Sequence, residues 1–124
     1  MPPKISSAEW EVMNVIWDRS PLTAAEVFAG LPADHGWKPK TVNTFLARLA
    51  DKGALKVVKK EGVNIYAARV RREDCVASES ESFLQRVYQG AAGPLLLHFC
   101  QQEKLSDEEI AELQKLLREK KGRS

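Results

Sequence analysis

Three places in this chain share one short pattern, a hydroxyl residue followed three positions later by glutamate. In each, the hydroxyl can accept a hydrogen bond from the backbone N–H of the glutamate, while the carboxylate accepts one from the backbone N–H of the hydroxyl residue. An apolar pair frames each pattern and can pack across the helix entry. We therefore predict helices that begin directly after three N-cap residues, Ser6, Thr23 and Ser106, with Glu9, Glu26 and Glu109 as their partners.

The first two predicted helices are short and amphipathic. Helix 1 spans residues 7–18 and ends before Pro21, since a residue that precedes proline avoids helical backbone angles. Its apolar face consists of Trp10, Met13, Ile16 and Trp17. Helix 2 spans residues 24–31, and the segment after it contains Pro and Gly and is predicted to be a loop.

A third helix and a hairpin follow. Helix 3 is predicted over residues 39–52, with Pro39 at the first position, where a missing N–H removes no hydrogen bond. Its apolar stripe has i, i+3, i+4, i+7 spacing and consists of Val42, Phe45, Leu46 and Leu49. Two β-prone runs, residues 54–60 and 64–70, flank a turn that contains Gly62, which predicts a β-hairpin.

The remaining helices are predicted over residues 71–89, 94–102 and 107–120. The predicted fold class is mostly α with a small β-hairpin wing. Three helices followed by a two-stranded wing is the element order of a winged helix-turn-helix. We therefore predict a winged helix-turn-helix N-terminal domain in residues 1–72 and an α-helical C-terminal domain in residues 73–124.

Positive charge is concentrated in the middle of the chain. Residues 37–72 carry 10 Lys/Arg against 2 Asp/Glu, a net charge of +8, whereas the segments before and after them each carry −3. A basic segment between acidic flanks indicates a polyanionic partner. The alternative is a basic surface that only faces solvent.

The apolar stripe of helix 3 leaves a polar, basic side facing outward. In a helix-turn-helix the second helix of the motif enters the major groove, where Asn, Thr and Lys can contact base edges and Lys or Arg can contact phosphate. The candidate DNA-binding residues on helix 3 are Lys40, Thr41, Asn43, Thr44 and Arg48. Those of the wing, expected to contact phosphate, are Lys56, Lys59, Lys60 and Arg69.

The C-terminal helices carry more apolar side chains than so short a segment can bury by itself. We expect these side chains to form a core shared between two identical chains, which makes residues 73–124 a dimerisation domain. The alternative is that they pack against their own winged helix. The candidate dimerisation residues are Phe83, Leu84, Val87, Leu95, Leu96, Phe99, Ile110, Leu113 and Leu117.

The sequence contains no pattern typical of an enzyme, such as a Gly-rich phosphate loop or HExxH, so no catalytic residues and no cofactor are expected. Cys75 and Cys100 lack CxxC spacing and are expected to be buried thiols. A metal site made of Cys75, His98 and Cys100 would lack a fourth ligand, so no metal is expected. The lack of a long apolar run and of a signal-peptide core predicts a cytoplasmic protein without membrane insertion.

Five segments of the chain follow one another in an order found in one bacterial family. They are "ISSAEWEVMNVIWD", "KTVNTFLARLADKGALKV", "IYAARV", "ESFLQRVYQGAAGPLLLHF" and "LSDEEIAELQKLL". The first resembles an opening helix, the second a DNA-contacting helix with the start of its wing, the third the second wing strand, and the last two the dimerisation helices. Together they cover nearly the whole chain and resemble the penicillinase-repressor family, the BlaI/MecI/CopY group of winged-helix repressors.

The resemblance implies a homodimer that binds a dyad operator in double-stranded DNA and represses transcription. Carried over by position, it implies that Lys40, Thr41, Asn43 and Thr44 face bases and that Arg48 lies near the backbone. In the β-lactam branch of the family, a membrane sensor's signal leads indirectly to cleavage before a Phe of the last domain, and the aligned bond here joins His98 to Phe99. The C-terminus lacks the paired Cys-x-Cys motifs of the copper branch.

Two other functions remain open from the residues alone. The winged helix could be a protein–protein interaction module that docks through its C-terminal helices and never contacts DNA. Cys75 and Cys100 could instead make the chain a thiol- or metal-responsive regulator.

Overall fold

A computed structural model describes residues 2–122 of the chain. Within these residues two compact units meet between residues 80 and 81, so that the first comprises residues 2–80, the second residues 81–122, and the division lies inside the fourth helix. The elements in chain order are α1 (Ser7–Arg19), β1 (Leu22–Thr23), α2 (Ala24–Gly30), α3 (Pro39–Asp51), β2 (Leu55–Lys60), β3 (Val63–Ala68), α4 (Arg72–Tyr88), α5 (Ala92–Gln102) and α6 (Asp107–Gly122). The predicted fold class, mostly α with a small β wing, is confirmed.

The three capping patterns form as predicted. At α1 the backbone N–H of Ser6 donates to Glu9 Oε1 at 2.9 Å, and the backbone N–H of Glu9 donates to Ser6 Oγ at 3.3 Å. The same reciprocal pair of hydrogen bonds begins α2, and it begins α6 between Ser106 and Glu109 at 3.0 Å in both directions. Each carboxylate thus satisfies a backbone N–H that the helix leaves without an internal acceptor.

The sheet contains one more strand than the sequence predicted. The hairpin β2–β3 is present, but the two-residue strand β1 pairs antiparallel with β3, so that the strand order is β1-β3-β2. In the centre, Tyr66 lies opposite Leu22 on one side and Val57 on the other. A two-residue strand has no alternation for a sequence pattern to show, and β1 exists only because β3 lies beside the entry of α2.

The core of the first unit is formed by α1, α2, α3 and the sheet. Its largest fully buried apolar side chains are Met13, Ile16, Leu46, Leu49, Val12, Val27 and Val42. The predicted face of α1 is wrong in part: Val12 and Glu9 are buried, whereas Trp10 and Trp17 are only half-buried at its edge. Trp17 donates its indole N–H to the carbonyl of Val70 at 3.0 Å, which joins α1 to the segment after the wing.

In the second unit the apolar side chains of α5 and α6 remain half-buried or exposed, and neither helix has a buried residue within the described part of the chain. Among residues 2–122, no helix is both long enough and apolar enough to cross a bilayer.

Candidate nucleic-acid interface

Helix α3 separates a buried apolar stripe from a polar, basic face. Val42, Leu46 and Leu49 have no exposed surface. The predicted contact residues lie on the other side: Lys40, Asn43, Thr44 and Arg48 are exposed and Thr41 is half-buried. Since side chains three and seven positions apart share one helix face, Thr41, Thr44 and Arg48 form a single row. The chain thereby presents a row of short hydrogen-bonding side chains that ends in a guanidinium.

One hydroxyl of this row is already engaged with its own helix. Thr44 Oγ1 donates to the carbonyl oxygen of Lys40 at 3.1 Å, one turn earlier. The donor of that hydroxyl is therefore used, while its lone pairs and its methyl group remain available. Such a Thr can accept a hydrogen bond from a base amino group or pack its methyl against a thymine methyl.

The N-terminus of α3 differs from those of α1, α2 and α6. Lys38 occupies the N-cap and makes no side-chain hydrogen bond to the helix, and Pro39 follows it. Both Lys38 and Lys40 are exposed beside the positive end of the helix dipole. Lys38 was not among the predicted contact residues, although it lies two positions before Lys40 at the N-terminus of α3, which is the end of a helix-turn-helix recognition helix that contacts bases.

The wing distributes its lysines over two faces. Lys56 lies opposite Ala67, Lys59 opposite Asn64 and Lys60 opposite Val63. Because successive strand residues point to opposite faces, Lys56 and Lys60 share one face and Lys59 points to the other. All three are exposed, but the structure does not bring them together on one face. The period-2 alternation of a strand could have shown this from the sequence.

Arg69, the fourth predicted phosphate contact of the wing, lies at the base of the hairpin. It is exposed, and its backbone N–H donates to the carbonyl of Ala54 at 2.9 Å. Lys59 and Lys60 lie at the other end of the hairpin, so Arg69 does not form a cluster with them. At the tip, Glu61 and Gly62 have φ values of 52° and 79° and form a two-residue turn.

One basic residue of the region is paired with a buried carboxylate of the protein. Lys52, directly after α3, donates its ammonium to the carboxylate of Glu9 and, at 3.0 Å, to the carbonyl of Lys4. Burial by itself would raise the pKa of Glu9, but the hydrogen bonds from Lys52 and Ser6 outweigh it and hold that pKa below its usual value. This pair attaches the end of α3 to the start of α1.

The predicted dimerisation residues lie on helices whose apolar sides are open. Phe83, Val87, Leu96, Phe99, Ile110 and Leu117 are exposed, and Leu84, Leu95 and Leu113 are half-buried. Leu97 and Leu116 were not among the predicted dimerisation residues, and they are also apolar and 63% and 52% exposed. Both could have been found from their spacing to Leu113 and other apolar residues on the same helices.

The two thiols have opposite environments. Cys75 is buried in the first unit, where burial raises its pKa and the neighbouring Asp74 carboxylate raises it further. Cys100 is exposed, so the expectation of two buried thiols is wrong for this residue. His98 and Phe99, the candidate cleavage pair, are exposed inside α5. No group of three or more potential metal ligands occurs within residues 2–122.

Comparison with known proteins gives a consistent assignment. The family model "Penicillinase repressor" matches residues 5–119. The penicillinase repressor of Bacillus licheniformis is 42% identical over 121 residues, which cover 98% of this chain and 94% of that protein. The methicillin resistance regulatory protein MecI of Staphylococcus aureus (strain N315) is 37% identical over 117 residues, which cover 94% and 95% of the two chains.

A solved structure shares the fold. The solution structure of the Bacillus licheniformis BlaI monomeric form in complex with the blaP half-operator is 42% identical, with a TM-score of 0.52, over 60% of this chain and 90% of that one. The family model and both relatives extend over nearly the whole sequence. This chain therefore belongs to the penicillinase repressor family.

Proposed function

We propose that the chain is a transcriptional repressor that binds a dyad operator in double-stranded DNA as a homodimer. Helix α3 enters the major groove, and the wing contacts the adjacent sugar–phosphate backbone. The observation that carries this proposal is the row formed by Thr41, Thr44 and Arg48, presented outward from a fully buried apolar stripe. A helix that only faces solvent does not need short hydrogen-bonding side chains flanked by basic ones.

Two further observations support DNA as the ligand. The basic segment 37–72 has a net charge of +8, and its lysines are exposed, although Lys52 is paired with Glu9. A structural relative, BlaI of Bacillus licheniformis, was solved with an operator half-site. Arg48, the wing lysines and Arg69 are assigned to phosphate, and Lys40, Thr41, Asn43 and Thr44 to base edges.

A gel-shift experiment tests this assignment. The probe is a duplex that contains the promoter region upstream of the chain's own gene, and the test variant carries both Lys40→Ala and Thr44→Ala. We expect binding to weaken by roughly tenfold or more, because two assigned base contacts are lost and one of them carries a positive charge. The matched control is Lys104→Ala, which removes one exposed positive charge between α5 and α6. Unchanged binding by the double variant would exclude α3 as the contact helix.

Salt dependence separates this proposal from a protein–protein interaction module. A protein that neutralises several phosphates loses affinity steeply as the salt concentration rises, because counterions are released on binding. We expect a linear fall of log affinity with log salt concentration, and a shallower slope for the Arg48→Ala variant, which loses an assigned phosphate contact. Binding that does not depend on salt, or no binding to any duplex, would favour the interaction module.

We further propose that residues 73–124 form the dimerisation domain and residues 1–72 the DNA-binding domain. The proposed boundary lies at the start of α4, earlier than the division into compact units. The open apolar sides of α5 and α6 support a second chain as the partner, because a dyad operator is matched by a two-fold dimer. We assign the chain no catalytic activity and no cofactor, and we place its action on DNA in the cytoplasm.

For release from the operator we propose cleavage of the bond between His98 and Phe99, as an indirect result of a membrane sensor-protease system. The support is the resemblance of this bond to the one cleaved in the β-lactam branch of the family, together with the exposure of the His98 side chain. Mass spectrometry of the chain from cells grown with and without a β-lactam tests this. A fragment that ends at His98 is expected only with the β-lactam. An intact chain in cells whose target promoter is fully active would contradict cleavage.

A further inference from the structure

The loop that leads into α3 is organised by a histidine. The imidazole of His35 accepts a hydrogen bond at Nδ1 from the backbone N–H of Trp37, with a distance of 2.8 Å between the nitrogens. His35 donates its own backbone N–H to the carbonyl of Pro32 at 3.1 Å. Its side chain therefore sets the path of the chain two residues ahead, next to the N-cap residue Lys38.

Aromatic contacts connect this histidine to the helices on both sides of the loop. The ring of His35 meets that of Phe28 on α2 edge-on, with centroids 5.0 Å apart and an interplanar angle of 84°. It also lies 5.6 Å from the ring of Trp37, which in turn meets Phe45 on α3 at 5.0 Å. Phe28, Trp37 and Phe45 are partly buried and pack against the core. The series runs without a gap from α2 to α3.

The start of α3 has no side chain of its own to hold it. Capping boxes fix the starts of α1, α2 and α6, whereas the N-cap Lys38 makes no such hydrogen bond. In its place, the hydrogen bond between the His35 side chain and the Trp37 N–H orders the loop directly before this helix start. We expect the first turn of α3, which carries Lys40 and Thr41, to be positioned by this loop.

The hydrogen bond requires a neutral imidazole. Nδ1 can accept only when it carries a lone pair, so the proton of the neutral ring is on Nε2. When the ring is protonated, both nitrogens are donors, and Nδ1–H would then face the N–H of Trp37. Histidine is the side chain whose charge most readily changes between about pH 5 and 8. A protonated ring would therefore remove the acceptor that the Trp37 N–H uses.

The imidazole of His35 makes no ion pair to the described residues. The charged side chains on the segments around His35 are Glu26 on α2, Asp34 and Lys38 in the loop, and Lys40 at the start of α3, and all four are exposed. Within residues 2–122, no ion pair involves His35. The hydrogen bond to the Trp37 N–H is therefore the polar side-chain contact of His35 that protonation would remove.

We propose that His35 is a positioning residue for α3. Its neutral ring supports operator binding through the bond to the Trp37 N–H, and loss of this bond on protonation lowers operator affinity as the pH decreases. This inference rests on the proposed function, since it assumes that α3 contacts DNA. His35 itself touches no DNA in this scheme. It acts through the path of the loop and thereby through the placement of Lys40 and Thr41.

The test compares three full-length proteins by fluorescence anisotropy with a labelled duplex of the promoter region upstream of the chain's own gene. His35→Asn keeps an acceptor for the N–H two residues ahead, as in an Asx-turn, and does not titrate in this range. His35→Phe keeps an aromatic ring but removes the acceptor. Affinities are measured from about pH 8 to about pH 5.5 at constant ionic strength.

We expect wild type and His35→Asn to bind equally at pH 8, and wild type alone to weaken in acid. The loss relative to His35→Asn is expected to be roughly three- to tenfold, which corresponds to one lost hydrogen bond. His35→Phe should be weaker by a similar factor at pH 8. Equal pH profiles for wild type and His35→Asn, or full affinity of His35→Phe at pH 8, would overturn the proposal. The His35→Asn profile also subtracts changes that arise from His98 or from DNA.

A second measurement does not depend on DNA. The amide resonance of Trp37 in a ¹H–¹⁵N spectrum should shift and lose protection from solvent exchange in wild type as the pH falls, but not in His35→Asn. An amide that stays constant in wild type would overturn the proposal even if DNA binding is normal. If no protein binds the duplex at pH 8, the proposed function fails, and the amide titration still decides whether His35 controls the loop.

Discussion

The carboxylate of Glu9, only 2% exposed, receives the ammonium of Lys52, so the first turn of α1 is tied to the residue directly after α3. The same carboxylate closes the capping box of α1 through the N–H of Ser6 at 2.9 Å. Lys52 in addition donates to the carbonyl of Lys4. One buried acid therefore fixes the entry of α1 and the exit of α3 at once. The other end of α3 is held differently, by the aromatic loop around His35.

Removal of the cation should cost stability. Lys52→Met keeps the aliphatic stem but leaves a buried carboxylate without its charge partner, and we expect a loss of about 2 kcal/mol in the free energy of unfolding. The estimate is below that for a fully buried pair because the Lys52 side chain is 35% exposed. Urea unfolding measures it. In a double-mutant cycle with Glu9→Gln, the second change should cost much less than the first, whereas additive losses would show that the two residues do not interact.

The pH dependence of stability follows from the same pair. Burial opposes ionisation of Glu9, but its hydrogen bonds to Lys52 and Ser6 prevail, so its pKa in the folded chain lies below the ordinary value of 4.5. The stabilisation it supplies is fully present above pH 4.5 and is lost as the pH falls through the lower folded value. Unfolding curves of wild type and Glu9→Gln should therefore converge in acid. A constant difference between them down to about pH 3 would contradict this origin.

Close packing of α1 against the end of α2 explains Gly30. A Cβ added there would lie 2.7 Å from Cγ1 of Val15, and a short β-branched side chain has little freedom to move away. We expect Gly30→Ala to destabilise the chain by about 1 to 3 kcal/mol, measured by thermal or urea unfolding. Val15→Ala should restore much of this loss when the two changes are combined. A Gly30→Ala protein as stable as wild type would show that the helices can separate without cost.

The wing tip carries a residue that does not suit its backbone. Glu61 has a φ of 52°, and in a two-residue hairpin turn with positive φ the sequence Asn-Gly is preferred over Glu-Gly. Glu61→Asn should stabilise the chain by about 0.5 to 1 kcal/mol. It also removes a negative charge beside Lys59 and Lys60, which should strengthen operator binding. Glu61→Gln separates the two effects, because it removes the charge without improving the turn.

A single charged substitution tests whether the open apolar side of α6 forms the proposed dimer interface. Leu117→Glu places a carboxylate in the proposed dimer interface and should convert dimers to monomers at micromolar concentration, as measured by analytical ultracentrifugation. The control is Lys115→Glu, which changes the charge by more than Leu117→Glu does. The side chain of Lys115 points about half a turn away from that of Leu117 on the same helix. If Leu117→Glu remained dimeric, the shared core would have to be formed by other apolar residues of α4 and α5.

Local signals account for the parts of the fold that the sequence predicted well. A capping box needs residues only three positions apart, so Ser6, Thr23 and Ser106 could be identified as helix N-caps without knowledge of the tertiary structure. The stripe Val42, Leu46 and Leu49 is an equally local pattern, and it defined the outward face of α3 by exclusion. Which side chains lie close together in space was harder to predict. Lys56 and Lys60 lie on a different face of the wing from Lys59.

The sequence by itself determined where the helices begin, which side of α3 is apolar and where positive charge accumulates, because each of these depends on neighbours within one or two turns of the chain. Only the tertiary structure decided that Glu9 is buried and meets Lys52, 43 residues away, and that Leu22 and Thr23 add a strand beside β3. It also placed His35 between α2 and α3. These relationships depend on which distant segments pack together, and pairs of residues far apart in the chain leave no periodic pattern in a single sequence.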